Sequence, residues 1–265
     1  MKITKAILLT LLLTLVYYIP QVILVLLVKY TNWDINLFNP IFDIVWSLST
    51  VMAYLLVFYL FWIPKPHYSN ILDIGGLDYN LIPYLILMAI GLGFVVQPFW
   101  DYNRLIEYYQ NANFEPYNRT YGELNFESLY FIFRTLIIAP IFEELFFRKF
   151  LFSKLQEKYQ LIVAIIISSI CFSLIHFEIP GNLLPSFIFG IISCLIYFKT
   201  KKISYSILFH FINNLFSTLI NTHYGESFFN WLDGLKYNLV YWAVFVFGIL
   251  ITIVGVKKIP TANKT

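Results

Sequence analysis

Apolar runs of about twenty residues recur along this chain, and that recurrence limits its fold more than any other feature. A helix of such length crosses the roughly 30 Å hydrocarbon core of a bilayer. Lipid offers the backbone no hydrogen bonds, so spanning segments must be helices or strands of a closed barrel. The runs are continuous rather than alternating, which selects helices. They fall at about residues 6–28, 42–63, 81–99, 128–152, 161–177, 183–198, 203–220 and 237–256. The expected fold is therefore all-α, a polytopic membrane helical bundle of about eight transmembrane helices. Its 265 residues are 59% hydrophobic and only 12% charged, far from the soluble norm.

The connecting segments carry the charge. Lys2 and Lys5 precede the first run, as in a signal peptide, but the run is long and no small-residue cleavage site follows, so a retained span is expected. Polar loops are read at residues 65–80, 154–160 and 221–236, and a loop or short surface helix at 100–125. Lysines concentrate in alternate connections: Lys65, Lys154, Lys158, Lys199, Lys201 and Lys202, with Lys2, Lys257 and Lys258 beside the termini. The positive-inside rule then puts both termini in the cytoplasm of a cell-membrane, multi-pass protein. A net charge of +3, thinly scattered, gives no nucleic-acid surface. Cys171 and Cys194 lie in apolar runs and read as buried, reduced thiols.

Ionisable side chains at membrane depth cost about 2.5–3.5 kcal/mol each on insertion scales, so they usually mark function. The run at 128–152 holds Glu143, Glu144 and Arg148. Glu144 and Arg148 are four apart, on one helical face, and can pair. Glu143 is turned about 100° away, free for another partner. Residues 143 and 176 lie equally far from the turn at 159–160, roughly 20–25 Å at helical rise, so Glu143 and His176 meet at one depth. His210 and Asn214 share a face of the next hairpin at a comparable depth. Each has a bland reading: a structural charge cluster, core imidazoles, or an amide that ties helices together. His67 and His223 read as surface residues, and Asp43, Glu127 and Glu178 as span-end charges. Arg134 has no account beyond snorkelling or pairing with a residue such as Glu127.

Together the embedded groups can hydrolyse a peptide bond. Glu143, with His176, would hold and deprotonate a water. His210 and Asn214 would donate hydrogen bonds to the oxyanion. Arg148 would keep Glu144 ionised. The candidate catalytic residues are thus Glu143, Glu144, Arg148, His176, His210 and Asn214.

Glu-Glu-x-x-x-Arg (143, 144, 148), Phe-x-x-x-His (172, 176) and His-x-x-x-Asn (210, 214), with Phe187-x-x-Gly190 between them, resemble the motifs of the CAAX-protease and bacteriocin-processing family, CPBP or Abi. The resemblance covers about residues 128–221, read as a catalytic core of four spans within a single membrane domain of residues 1–265. It implies an intramembrane endopeptidase acting on a peptide or membrane-anchored substrate, with the residue roles just given. It leaves two mechanisms open. Glu143, His176 and His210 could ligate a divalent metal such as Zn, or the glutamate could act on water alone, and the latter is preferred because an amide is a poor zinc ligand. The alternative function is a non-catalytic membrane immunity or signalling partner of the same fold. A small transporter would need paired broken helices in two halves, which the sequence lacks.

Overall fold

Helices that face lipid bury little of themselves, and the outermost segments follow that rule. The computed structural model describes residues 1–31, 40–67, 71–73, 75, 77–100, 102–111 and 128–262. Its helices are α1 (Ile3–Thr31), α2 (Pro40–Phe61), α3 (Ile82–Trp100), α4 (Tyr102–Gln110), α5 (residues 128–156), α6 (Leu161–Leu174), α7 (Leu183–Thr200), α8 (Ile203–Ile220), α9 (His223–Gly234) and α10 (Leu239–Lys258), with no strand among the described residues. On α1, Leu8, Leu15 and Ile23 are exposed while Ala6, Leu9 and Leu13 enter the core. Six helices, α1, α2, α3, α7, α8 and α10, are long and apolar enough to cross a membrane. The chain is a multi-pass membrane protein. The predicted number of about eight is reached only with α5 and α6. The former is charged, and the latter, with 14 residues, is about 21 Å long.

Two sequence expectations are corrected. Residues 223–234, read as part of a polar loop, form the amphipathic helix α9, which buries Phe229 and Leu232. The span expected to reach residue 177 ends as a helix at Leu174, so His176 sits on the turn that follows, its N–H bonded to Ser173 O at 2.9 Å.

The connections rich in lysine gather at one end of the bundle. There the Met1 amino group donates to Lys154 O at 2.5 Å and Lys149 Nζ meets Asp73 Oδ2 at 2.6 Å. Lys202 Nζ reaches Gly75 O at 2.9 Å, and Ala262 N bonds Lys199 O at 2.6 Å. Helices α4 and α9 cap the opposite end, joined by Arg104 and Asp233 at 3.4 Å.

Close backbone approach sets the rest. Helices α3 and α10 form the most extensive pair, and they meet at glycines. A Cβ added to Gly248 would lie 2.7 Å from Gly91 O, and one added to Gly91 would lie 2.7 Å from Gly248 O. Without a hydrophobic driving force between helices in lipid, such small-residue seams supply the packing. Gly248→Leu is expected to destabilise the detergent-purified protein by about 1–3 kcal/mol or more, read as a lowered Tm, since overpacking there displaces backbone.

Candidate active site

The site is built on an irregular helix. α5 alternates α-helical turns (Ser128–Phe133, Ala139–Glu144, Ser153–Gln156) with π-helical stretches (Arg134–Ile138 and Leu145–Phe152). Pro140 explains the first stretch. It has no N–H to give to the fourth or fifth carbonyl before it. Ala139 N instead bonds Arg134 O, a π-type bond, which leaves Thr135 O without a helical donor. Asn214 of α8 fills that vacancy, its Nδ2 donating to Thr135 O at 2.8 Å. The proline thus creates the acceptor that docks Asn214 beside Glu143. π-Bulges of this kind recur at functional sites.

Glu144 is the buried hub. Arg148 Nε lies 3.2 Å from its Oε2, and both side chains are fully buried, as the four-residue spacing predicted. Ser193 Oγ of α7 donates to the same oxygen at 2.6 Å. His210 Nδ1 lies 2.9 Å from Oε1. A carboxylate held by arginine can only accept, so His210 Nδ1 is the donor and Nε2 is the free nitrogen. Arg148 also stacks on Phe172, its guanidinium carbon 4.3 Å from the ring centre. Its two Nη groups find no acceptor among the described residues.

Glu143 points elsewhere. Its Oε2 is buried with no hydrogen-bond partner among the described residues, and it lies 3.9 Å from His210 Nε2. That gap is too long for a direct hydrogen bond and suits a bridging water. His176 Nδ1 is 2.9 Å from Phe172 O, which can only accept, so its Nε2 is free as well. The motif spacing Phe-x-x-x-His therefore fixes a tautomer.

Glu143, His176, His210 and Asn214 line a single cavity of about 360 Å³ between α1, α2, α5, the turn after α6, and α8. A second cavity of about 450 Å³ lies between α3, α7, α8 and α9, and His176, His210 and Asn214 line it too. The two imidazoles and the amide thus stand between two chambers. Glu144 and Arg148 line neither and sit behind the wall. Both cavities extend from mid-bundle toward the end opposite the lysines, where Asn182 lines each.

The site reaches beyond residues 128–221, since α1, α2, α3 and α9 supply walls. Sequence reasoning also missed Ser193, a small hydroxyl in an apolar run, and Asp43, which pairs with Arg134 at 3.4 Å. Glu127, the partner suggested for Arg134, falls outside the described residues. Glu178, read as an idle span-end charge, lines the first cavity. His67 is exposed, and the side chain of His223 is outside the described residues. Cys171 and Cys194 are buried free thiols, as expected. Among the described residues no three of His, Cys, Asp and Glu converge to hold one metal ion. Glu143, His176 and His210 are accordingly not gathered as a ligand set among the described residues.

Comparison with known proteins adds to this geometry. A family model for type II CAAX prenyl endopeptidases, Rce1-like, matches residues 125–216, the length of α5 to α8. The chain is 34% identical over 84 residues to "Putative membrane peptidase YdiL" of Bacillus subtilis (strain 168), covering 32% of this chain and 34% of that protein. It is 38% identical over 80 residues to "UPF0177 protein YxdF" of Lactococcus lactis subsp. lactis (strain IL1403), covering 30% of this chain and 44% of the relative. The matches thus span less than half the length of either relative. No solved structure matches the chain.

Proposed function

We propose, on the premise that residues 125–216 belong to the Rce1-like CAAX protease family, that this multi-pass membrane protein is an intramembrane endopeptidase. One observation carries the reading: a buried, unpartnered Glu143 carboxylate faces His210 Nε2 across 3.9 Å on a cavity wall. In the proposed reaction a water donates one hydrogen bond to His176 Nε2 and the other to Glu143. Glu143 removes a proton as the water oxygen attacks the peptide carbonyl carbon. The reaction requires His210 to gain a proton on Nε2 with Glu144 as counter-charge, and that N–H donates to the oxyanion. Asn214 donates the amide N–H that Thr135 O does not use. Such donors are typically worth about 3–4 kcal/mol in the transition state. The C–N bond then breaks, Glu143 returns its proton to the amine, and a carboxylic acid and an amine leave. Glu144, Arg148 and Ser193 act as positioning residues, because they hold His210 without reaching the cavity.

The substrate is a peptide or a membrane-anchored protein, met within the bilayer. With the lysine-rich end cytoplasmic, as the positive-inside rule requires, the cavities extend toward the outer face of the cell membrane. The experiment is peptide cleavage by detergent-purified protein, read by mass spectrometry. Activity is expected to persist in excess chelator and to fall by at least 10²-fold in His210→Ala, by loss of an oxyanion donor. Loss of activity on chelation, restored by zinc, would replace the glutamate–water mechanism with a metal one. If a cellular immunity or signalling phenotype survived both Glu143→Ala and His210→Ala, the protein would be a non-catalytic partner.

A further inference from the structure

Arg134 is a charged side chain of α5 that faces the cavity and that the mechanism leaves unused. It lines the same cavity as Glu143. Its guanidinium carbon lies 4.4 Å from the centre of the Trp46 ring, so its face is covered. Trp46 is itself fixed, because its indole N–H donates to the Tyr17 hydroxyl. The Asp43 carboxylate lies 3.4 Å from Nη1, and that nitrogen is buried with no hydrogen-bond partner among the described residues. An arginine carries five N–H donors in a planar fork. A stacked face with a free edge is the arrangement that takes a carboxylate in two parallel hydrogen bonds. A buried donor left unmade is costly, so Nη1 favours an acceptor that enters the cavity and meets it more closely than Asp43 does.

The placement restricts where the carboxylate sits. Arg134 and Glu143 are nine residues apart on one helix, about 12–14 Å along its axis. An extended peptide covers that in about four residues, at roughly 3.3 Å each. Glu143 and Glu178 also line the cavity and repel an anion elsewhere on its wall. Resting on the endopeptidase reading above, we propose that Arg134 binds a carboxylate of the substrate peptide, an acidic side chain or the C-terminus, about four residues from the scissile bond.

The test measures binding, not turnover, in the Glu143→Gln protein held in detergent micelles. Three dye-labelled apolar octapeptides serve as probes: one with a free C-terminal carboxylate, one amidated, and one amidated but with a glutamate inside. Fluorescence anisotropy is expected to show at least a tenfold preference for a carboxylate peptide over the uncharged one. Which of the two is preferred identifies the source of the carboxylate. Adding Arg134→Gln should abolish the preference and leave the uncharged peptide's affinity unchanged. Arg134→Lys should keep part of it, and Asp43→Asn should keep or strengthen it.

Equal affinity for all three peptides with Arg134 present would overturn the assignment while leaving the endopeptidase reading intact. So would an equal loss for all three in Arg134→Gln, the mark of a purely structural pair with Asp43. Abolition of the preference by stoichiometric phosphatidylglycerol would assign the site to a lipid phosphate instead. Failure of any peptide to bind would count against both this site and the peptide substrate.

Discussion

Glu143→Gln is expected to lower the rate of peptide cleavage by about 10²–10⁴-fold, the usual worth of a general base, with no change in the amount of protein in the membrane. Glutamine keeps the shape of the side chain and cannot take a proton. The fold loses little by the change, because Glu143 Oε2 makes no hydrogen bond among the described residues and Arg148 is paired with the neighbouring Glu144. The pair of measurements that matters is initial rate against membrane abundance and monodispersity. A variant that folds and still cleaves would remove Glu143 from the mechanism. A variant that fails to accumulate would show instead that Glu143 is structural.

Arg148→Met is expected to have the opposite profile, a loss of stability of about 3–5 kcal/mol, the cost of stranding one partner of a buried ion pair. Methionine fills similar space beside Phe172, so the loss comes from charge. Glu144 would keep Ser193 and His210 as partners but no fixed cation. The double variant Arg148→Met/Glu144→Gln should recover much of the stability, since removing both ions relieves the uncompensated charge. It should not recover activity, because a neutral amide on Nδ1 no longer supports a doubly protonated His210. Thermal unfolding in detergent measures the first effect and cleavage rate the second. An unchanged Tm in the single variant would mean that Glu144 is held by its other partners alone.

These two outcomes separate what spacing revealed from what only packing shows. The Glu144–Arg148 pair is a property of one helix, so four-residue spacing sufficed to foresee it. A common layer for Glu143 and His176 was read from the equal arms of one hairpin, and for His210 and Asn214 from a comparable distance to the next turn; all four line one cavity. The π-helical register of α5 was less legible, although Pro140 was the signal: it predicts a defect but not which way the helix accommodates it. Ser193 and Asp43 reach their partners across large separations in the chain, and no local pattern announces them. α9 was missed because the polar residues of 221–236 read as a loop. The apolar spacing of Phe228, Phe229, Trp231 and Leu232 was nonetheless that of an amphipathic helix.

The identity of the attacking oxygen is the most direct issue. Purified protein and an apolar peptide incubated in H₂¹⁸O should yield products whose new carboxyl group carries one ¹⁸O. The amount of labelled product formed in a fixed time should fall by about 10²–10⁴-fold in Glu143→Gln and by at least 10²-fold in His210→Ala. Peptide surviving intact with the unaltered protein, or as much labelled product from the Glu143→Gln variant, would contradict a water activated by that carboxylate.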